Sequence, residues 1–249
     1  MLIEMRDVLD RLLTPEKTLN PLLFDEQNRM LADVQRILLT QANYVFALIV
    51  SEIKGLKFTG AYLTGSQASY FYHEKSDINL RIGVKNESCP ELAADSKFLS
   101  QFLQFYFFGH LHNQNFRLGD KKVNIQFNSD VPEKLPLGLY SLLQNKWIIA
   151  PQQNITENLN ADAVYKAYEQ KYNEIETYLL SLDSSGELPT ENGIKKLDEL
   201  HNSLIANSNN SITDFIIFKM LNYRGMINNI TDIKNHALKD FLSIDYPAK

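Results

Sequence analysis

The spacing of apolar residues changes twice along this chain, and these changes constrain its fold more than any other feature. From residue 25 to about residue 54 the apolar residues recur every three or four positions, which predicts a long amphipathic helix. After Gly55 the spacing becomes typical of strands, and beyond Pro151 it again becomes typical of helices. The chain is therefore expected to be an α+β protein, with a strand-rich middle between helical segments.

Three regions follow from this pattern. Residues 1–55 are predicted to form N-terminal helices that pack on the core, 56–155 to form the core, and 156–249 to form a helical C-terminal subdomain. The core should contain a mixed sheet of about four or five strands. The predicted elements are helices over 3–13, 25–54 and 98–110, strands over 58–64 and 78–84, a hairpin of 116–118 and 123–127, a small helix and a final strand between 139 and 151, and helices over 161–182, 194–205 and 212–227.

Charge and composition exclude several classes of function. The 25 basic and 30 acidic residues give a net charge of -5, so nothing indicates the wide basic face that binds nucleic acid. No apolar run approaches the roughly 18 to 20 residues of a membrane span, and Glu4 and Asp7 fall where a signal peptide would be apolar. A cytoplasmic protein is expected. Its single cysteine, Cys89, cannot form an internal disulfide.

The segment from Leu63 to Leu80 is the one that indicates chemistry. A strand that ends in Gly65-Ser66 offers backbone N–H groups and a hydroxyl to an anion. Asp77 and Asn79 lie two residues apart on the next predicted strand, so they point to the same side with Cα atoms roughly 6.5 to 7 Å apart. Such a pair can flank a metal ion.

These residues resemble the signature of the nucleotidyltransferase superfamily related to DNA polymerase beta, in which Gly-Ser is followed by Asp-x-Asp on the next strand. The sequence is most similar to the predicted nucleotidyltransferases of tailed bacteriophages, and the resemblance spans residues 19–151. Its motifs occur here in order as Leu19-Asn20-Pro21 with Phe24, Thr64-Gly65-Ser66, Tyr70, Ser76-Asp77-Ile78-Asn79-Leu80, Tyr140-Ser141-Leu142, Lys146-Trp147 and Pro151.

The resemblance implies transfer of a nucleotidyl group from a nucleoside triphosphate to a hydroxyl or phosphate acceptor, with Mg²⁺ or Mn²⁺ as cofactor. It implies a nucleotide-binding role for Gly65, Ser66 and Tyr70. In the family three carboxylates hold two metal ions, and by position these fall on Asp77, Asn79 and Asn124. Only the first is a carboxylate. The resemblance also implies the cytoplasm of an infected host as location, and permits a place in a virus particle.

The two asparagines at positions where the family has carboxylates predict that two-metal catalysis is impaired. The carboxylates of such a site largely offset the repulsion between two divalent ions, and amides contribute no charge. Asn124 also cannot accept a proton from an attacking hydroxyl at ordinary pH. The expected function is therefore that of a binding or structural component, with Asp77 a weak metal ligand or none.

Two other hypotheses stay open. One is an active transferase that uses one metal ion, Mn²⁺ or a substitute acid; the other is an unrelated α+β protein in which the motifs are coincidental. The candidate substitute acids nearest in sequence are Glu74, Asp95, Asp120 and Asp130. Of these, Glu74 is better interpreted as a loop residue, Asp120 as a turn residue and Asp130 as a strand-end residue.

Three further groups of residues are candidates for a metal site, a protein interface or an anion site. The pair His110 and His112 has no evident third ligand and is interpreted as a loop or packing feature. A tyrosine-rich helix is expected either to pack against the core or to contact a protein partner; its tyrosines are Tyr165, Tyr168, Tyr172 and Tyr178. The small basic cluster is expected at a solvated hairpin edge; it consists of Arg117, Lys121 and Lys122.

Overall fold

The computed structural model describes residues 4–74, 76–86, 88, 99–100, 102–104, 106–107, 115–128, 137–185, 190–208 and 210–244. The chain divides into two compact units. A sheet unit comprises residues 15–154, and a helical unit comprises residues 1–14 and 155–249. The α+β class and the helical C-terminal part are confirmed. The helical unit also contains the first helix, which the predicted division grouped with the long second helix as N-terminal helices packing on the core.

The helices and strands have the following bounds. The helices are α1 (Met5–Leu13), α2 (Ala32–Glu52), α3 (Ala161–Ser184), α4 (Glu191–Asn207), α5 (Ile212–Tyr223) and α6 (Met226–Ile244). The strands are β1 (Leu56–Thr64), β2 (Ile78–Asn86), β3 (Arg117–Leu118), β4 (Lys121–Asn128), β5 (Leu139–Ser141) and β6 (Lys146–Ile149).

The strands form one six-stranded sheet in the order β3-β4-β2-β1-β5-β6. Strands β2 and β4 are parallel, and every other neighbouring pair is antiparallel. The sheet is therefore mixed, as expected, with more strands than the four or five predicted.

Alternation along β2 separates the two faces of this sheet. Ile78, Leu80 and Ile82 are fully buried in the apolar core, while Asn79 and Arg81 point to the opposite, polar face. The buried stripe of α2, which includes residues with 0% exposure, belongs to the same core. The polar face is thus the one on which a site can form.

Helix α2 is the one described helix whose length and hydropathy would also suit a membrane span. Its apolar residues Leu38, Ala42 and Val45 are fully buried in the sheet unit, which is the position of a core helix. The predicted start of this helix at residue 25 is wrong. Asn28 has a positive φ of 58°, and the segment before α2 folds back so that Phe24 and Met30 form a β-bridge.

The small helix predicted near residue 139 is a second error, because this segment is the hairpin of β5 and β6. A short apolar run can be a helix or a strand, and here cross-strand packing decides. Tyr140 is the strand partner of Trp147, and their rings meet edge to face with centroids 4.9 Å apart. Asn145, with φ 50°, supplies the left-handed residue of the turn.

The helical unit contains α1 together with α3 to α6. Arg6 on α1 forms an ion pair of 2.6 Å with Asp162 and lies 4.3 Å above the Tyr165 ring. The helix predicted over 212–227 is broken, because Gly225 adopts φ 82° and ends α5 before α6 begins. Tyr168 of the tyrosine-rich helix is only 1% exposed and therefore packs inside this unit.

Candidate functional site

The structure brings Asp77, Asn79 and Asn124 together at the start of β2. Asn79 pairs directly with Asn124 across the parallel strands β2 and β4. The Asn124 side-chain Nδ2 donates a hydrogen bond of 3.0 Å to Oδ2 of Asp77. On the other side Asn79 pairs with Thr64, the last residue of β1. The three side chains therefore form one cluster, here called the Asp77 cluster.

Gly65 borders this cluster and must be a glycine. Its φ of 78° lies in the left-handed region, and a Cβ added there would lie only 2.5 Å from Nδ2 of Asn79. Ser66 follows in a short 3-10 turn and is 3% exposed. The strand-to-turn junction thus approaches the amide of Asn79 closely.

Tyr70, the third residue expected on the nucleotide side, contributes differently. Its ring packs against the apolar core, and its carbonyl accepts a hydrogen bond of 2.7 Å from the Glu16 N–H. In the described structure Tyr70 therefore holds the segment before α2.

Gln67 supports the cluster and was missed by sequence reasoning. This side chain is fully buried, and its Oε1 accepts a hydrogen bond of 2.6 Å from Nδ2 of Asn20. Its Nε2 donates to the carbonyls of His73 at 3.2 Å and Ser76 at 2.8 Å. Because Ser76 directly precedes Asp77, these bonds fix the approach to the cluster. The only sequence signal is that Asn20 lies within one motif of the resemblance and that Gln67 directly follows another, Thr64-Gly65-Ser66.

Lys121 also stabilises this loop, and the prediction that it lies at a solvated edge is wrong. It is 7% exposed, and its Nζ donates a hydrogen bond to the Glu74 carbonyl. The reason is alternation along β4, where Lys121 shares its face with the buried Val123 and Lys122 is exposed. A buried ammonium needs such an acceptor.

The residues of the Asp77 cluster do not fit a pair of Mg²⁺ ions. Only Asp77 brings a charge, and one of its oxygens already accepts a hydrogen bond from the amide of Asn124. A donor therefore lies where a cation would have to approach. Within the described residues, no three His, Cys, Asp or Glu side chains form a group suited to a metal.

Of the four candidate substitute acids, Glu74 and Asp120 lie in the described part of the chain. Glu74 is exposed on the loop before the cluster, and Asp120 lies in the turn between β3 and β4, where its carbonyl accepts a hydrogen bond from Arg117. The remaining residues singled out in the sequence lie outside the described part of the chain; they are Cys89, Asp95, His110, His112 and Asp130.

The outer motifs of the resemblance meet in an aromatic group beside the sheet. Phe24 stacks on Trp147 with ring centroids 5.1 Å apart and meets Tyr140 edge to face at 5.5 Å. Nε1 of Trp147 donates to the Asn28 carbonyl at 2.9 Å, and the Tyr140 hydroxyl accepts from the Met30 N–H at 3.1 Å. These motif residues are structural, because they hold the loop before α2 against β5 and β6.

Comparison with family models, with curated proteins and with solved structures finds no match to this chain. The function of this chain is therefore inferred from the geometry of the Asp77 cluster and from the sequence motifs.

Proposed function

We propose that this chain is a degenerate nucleotidyltransferase-fold protein, of the kind that tailed bacteriophages encode. It no longer transfers nucleotides and acts as a binding or structural component. The single observation that carries the proposal is the hydrogen bond from Asn124 to Asp77 within a cluster arranged as the resemblance implies.

The strand arrangement supports the fold part of the proposal. The resemblance implies that the Gly-Ser strand, the Asp-x-Asp strand and the strand of the third metal position are neighbours. In this chain β1, β2 and β4 are adjacent in that order, and Asn79 pairs with both Thr64 and Asn124. Residues 45 positions apart, Asn79 and Asn124, are thus brought to the same register without any local sequence signal.

The charge of the cluster supports the loss of catalysis. Two divalent ions at a catalytic separation of about 4 Å repel strongly, and carboxylates supply the charge that offsets this repulsion. Here two of the three positions are amides, and one amide uses its N–H to satisfy the remaining carboxylate. The cluster carries a single negative charge, and the Asn124 amide already donates to that carboxylate, so cation binding there would have to compete with an existing hydrogen bond.

A first experiment restores the charge. The double variant Asn79→Asp with Asn124→Asp would bring three carboxylates together, and their repulsion should lower stability without metal. Bound Mg²⁺ or Mn²⁺ should then raise the melting temperature of this variant and give measurable heat by calorimetry. Asn128→Asp is the matched control, because it adds a charge to the same face of β4 away from the cluster. The wild type and the control should bind neither ion detectably.

A second experiment tests the wild-type chain for activity with each labelled nucleoside triphosphate, Mg²⁺ or Mn²⁺, and a broad panel of acceptors. We expect no transfer. Robust turnover that disappears in Asp77→Ala would refute the proposal and establish the alternative, an active metal-dependent transferase. Unchanged metal affinity of the double variant would mean that the pocket has decayed elsewhere or that Asn124 does not occupy the third metal position.

A further inference from the structure

The polar face of the sheet carries a second feature, Arg81, which the proposed function leaves unexplained. Arg81 follows Asn79 by two residues on β2 and shares its face, with Cα atoms about 6.5 to 7 Å apart. Its side chain is partly buried. Its Nε atom is buried and has no hydrogen-bond partner among the described residues. An unsatisfied buried donor is costly, and more so when it belongs to a charged group.

No carboxylate in the described part of the chain neutralises this guanidinium. Burial lowers the pKa of Arg81 below its ordinary value, and no acid among the described residues offsets that effect. The acid nearest along β2 is Asp77, four residues earlier, so the Cα atoms are about 13 Å apart. Asp77 is also engaged by Asn124. The charge of Arg81 therefore lacks a counter-charge from these residues.

The neighbours of Arg81 across the sheet are further hydrogen-bonding groups. Tyr62 on β1 and Gln126 on β4 are its direct partners and share its face. Burial raises the pKa of Tyr62, so its hydroxyl stays protonated and able to donate. Its ring lies over two glycines, since a Cβ on Gly60 would be 2.4 Å from the hydroxyl oxygen and a Cβ on Gly83 3.3 Å from Cε2. Arg81 is therefore a partly buried cation between two neutral donors, whereas Lys85 and Lys122 on the same face are exposed.

We infer that Arg81, with Tyr62 and Gln126, binds a phosphate group of a small, nucleotide-sized ligand. A guanidinium pairs with two phosphate oxygens at once, and the remaining oxygens accept from neutral donors such as hydroxyls and amides. The net charge of -5 makes a small ligand a better fit than the long phosphate backbone of a nucleic acid. This inference depends on the surroundings of Arg81 and does not require the proposed function or a metal ion.

The test follows thermal unfolding of the full chain by fluorescence of Trp147, the single tryptophan, in the presence of EDTA. The probes are inorganic pyrophosphate, ATP and a single-stranded DNA oligonucleotide. Pyrophosphate and ATP should raise the melting temperature of the wild type by a few degrees. Arg81→Met should melt higher than the wild type without ligand, because an unpaired buried charge is gone, and should show no shift with ligand.

Three further variants serve as controls. Arg36→Met removes an exposed arginine, with 70% of its side chain accessible, and should respond to both ligands as the wild type does. Arg81→Lys keeps the charge without the two-pronged geometry and should show a reduced shift. Asp77→Ala should keep the full shift, which separates this site from the Asp77 cluster.

Four outcomes would overturn the inference. They are the absence of any wild-type shift with millimolar pyrophosphate and ATP, an equal shift in Arg81→Met, a shift with the oligonucleotide alone, and loss of the shift in Asp77→Ala but not in Arg81→Met. None of them bears on nucleotidyl transfer, so the proposed function is tested separately.

Discussion

Gln67 offers the sharpest test of how the loop before Asp77 is positioned. Its side chain is fully buried and takes part in three hydrogen bonds, at 2.6 Å with Asn20, 2.8 Å with Ser76 and 3.2 Å with His73. Truncation to alanine removes all three at once. The Asn20 amide then loses an acceptor, and two backbone carbonyls lose a donor.

The expected cost can be worked from these contacts. A buried polar group left unsatisfied costs about 1 to 3 kcal/mol, and the lower end applies where water can enter the space that the side chain leaves. With about 1 kcal/mol for each of three groups and a further contribution from lost packing, Gln67→Ala should lower the free energy of unfolding of the sheet unit by about 3 to 5 kcal/mol. Gln67→Glu keeps the shape but removes the donor, so it should also destabilise strongly.

The assay is urea unfolding followed by Trp147 fluorescence, which reports on the sheet unit because the single tryptophan lies within residues 15–154. Hydrogen exchange should also accelerate across residues 71–77. The control is Gln170→Ala, which removes an exposed hydrogen bond of 2.9 Å to Glu174 in the helical unit and should leave the tryptophan transition unchanged. A loss below about 1 kcal/mol in Gln67→Ala would refute the reasoning, because buried groups left unsatisfied must cost more than that in sum.

Three further predictions concern other parts of the chain. Gly65→Ala should lower the free energy of unfolding by about 1 to 3 kcal/mol, because a Cβ would strain the positive φ and displace Asn79, as measured by urea unfolding. Gln104→Ala should cost about 1 to 3 kcal/mol in the same assay, because the Gln104 amide satisfies one N–H and one carbonyl on the outer edge of β4, each at 3.1 Å. Burial and then the charge of Lys234 lower the pKa of His201 below 6.5, so the unfolded chain binds the proton more readily. Stability should therefore fall as pH drops below about 6.5, and thermal unfolding of His201→Gln should show a flatter pH dependence.

Each of these has an outcome that would count against it. Wild-type stability in Gly65→Ala would mean that the close approach to Asn79 is readily relieved. An unaffected Gln104→Ala would mean that water satisfies the β4 edge equally well. A fall in stability with pH that is unchanged in His201→Gln would assign that dependence to other groups.

The elements that sequence predicted well are those whose periodicity is long and unambiguous. The alternation around Asn79 in β2 and the helical spacing in α3 are local patterns, and both elements form within a few residues of their predicted bounds. The hairpin of β5 and β6 was mistaken in part for a helix because its apolar run is only a few residues long. In that segment the contact between the rings of Trp147 and Tyr140 favours a hairpin over a helix, and such a cross-strand contact leaves no periodic signal in the sequence.

The residues of the candidate site likewise fall into those that local spacing predicts and those that it does not. The spacing of Asp77 and Asn79 follows from strand geometry, whereas Asn124 was assigned through the resemblance, since a parallel register cannot be read from spacing along the chain. Gln67 was missed because a buried glutamine has the same local sequence appearance as an exposed one. Its role emerges only when Asn20 and Ser76 are both near it in space.

The charges on the polar face connect the two proposals. A catalytic two-metal site concentrates negative charge, so that cations bind first and bring the ligand's phosphates with them. On this face Asp77 accepts a hydrogen bond from the amide of Asn124. Lys85 and Lys122 are exposed there, whereas Arg81 is partly buried, unpaired among the described residues and about 13 Å further along the strand than Asp77. The electrostatic preference of the face is therefore reversed: it favours an anion directly and offers little to a cation. Under the two proposals together, the loss of two metal-binding carboxylates leaves a face that binds phosphate groups without carrying out the transfer reaction.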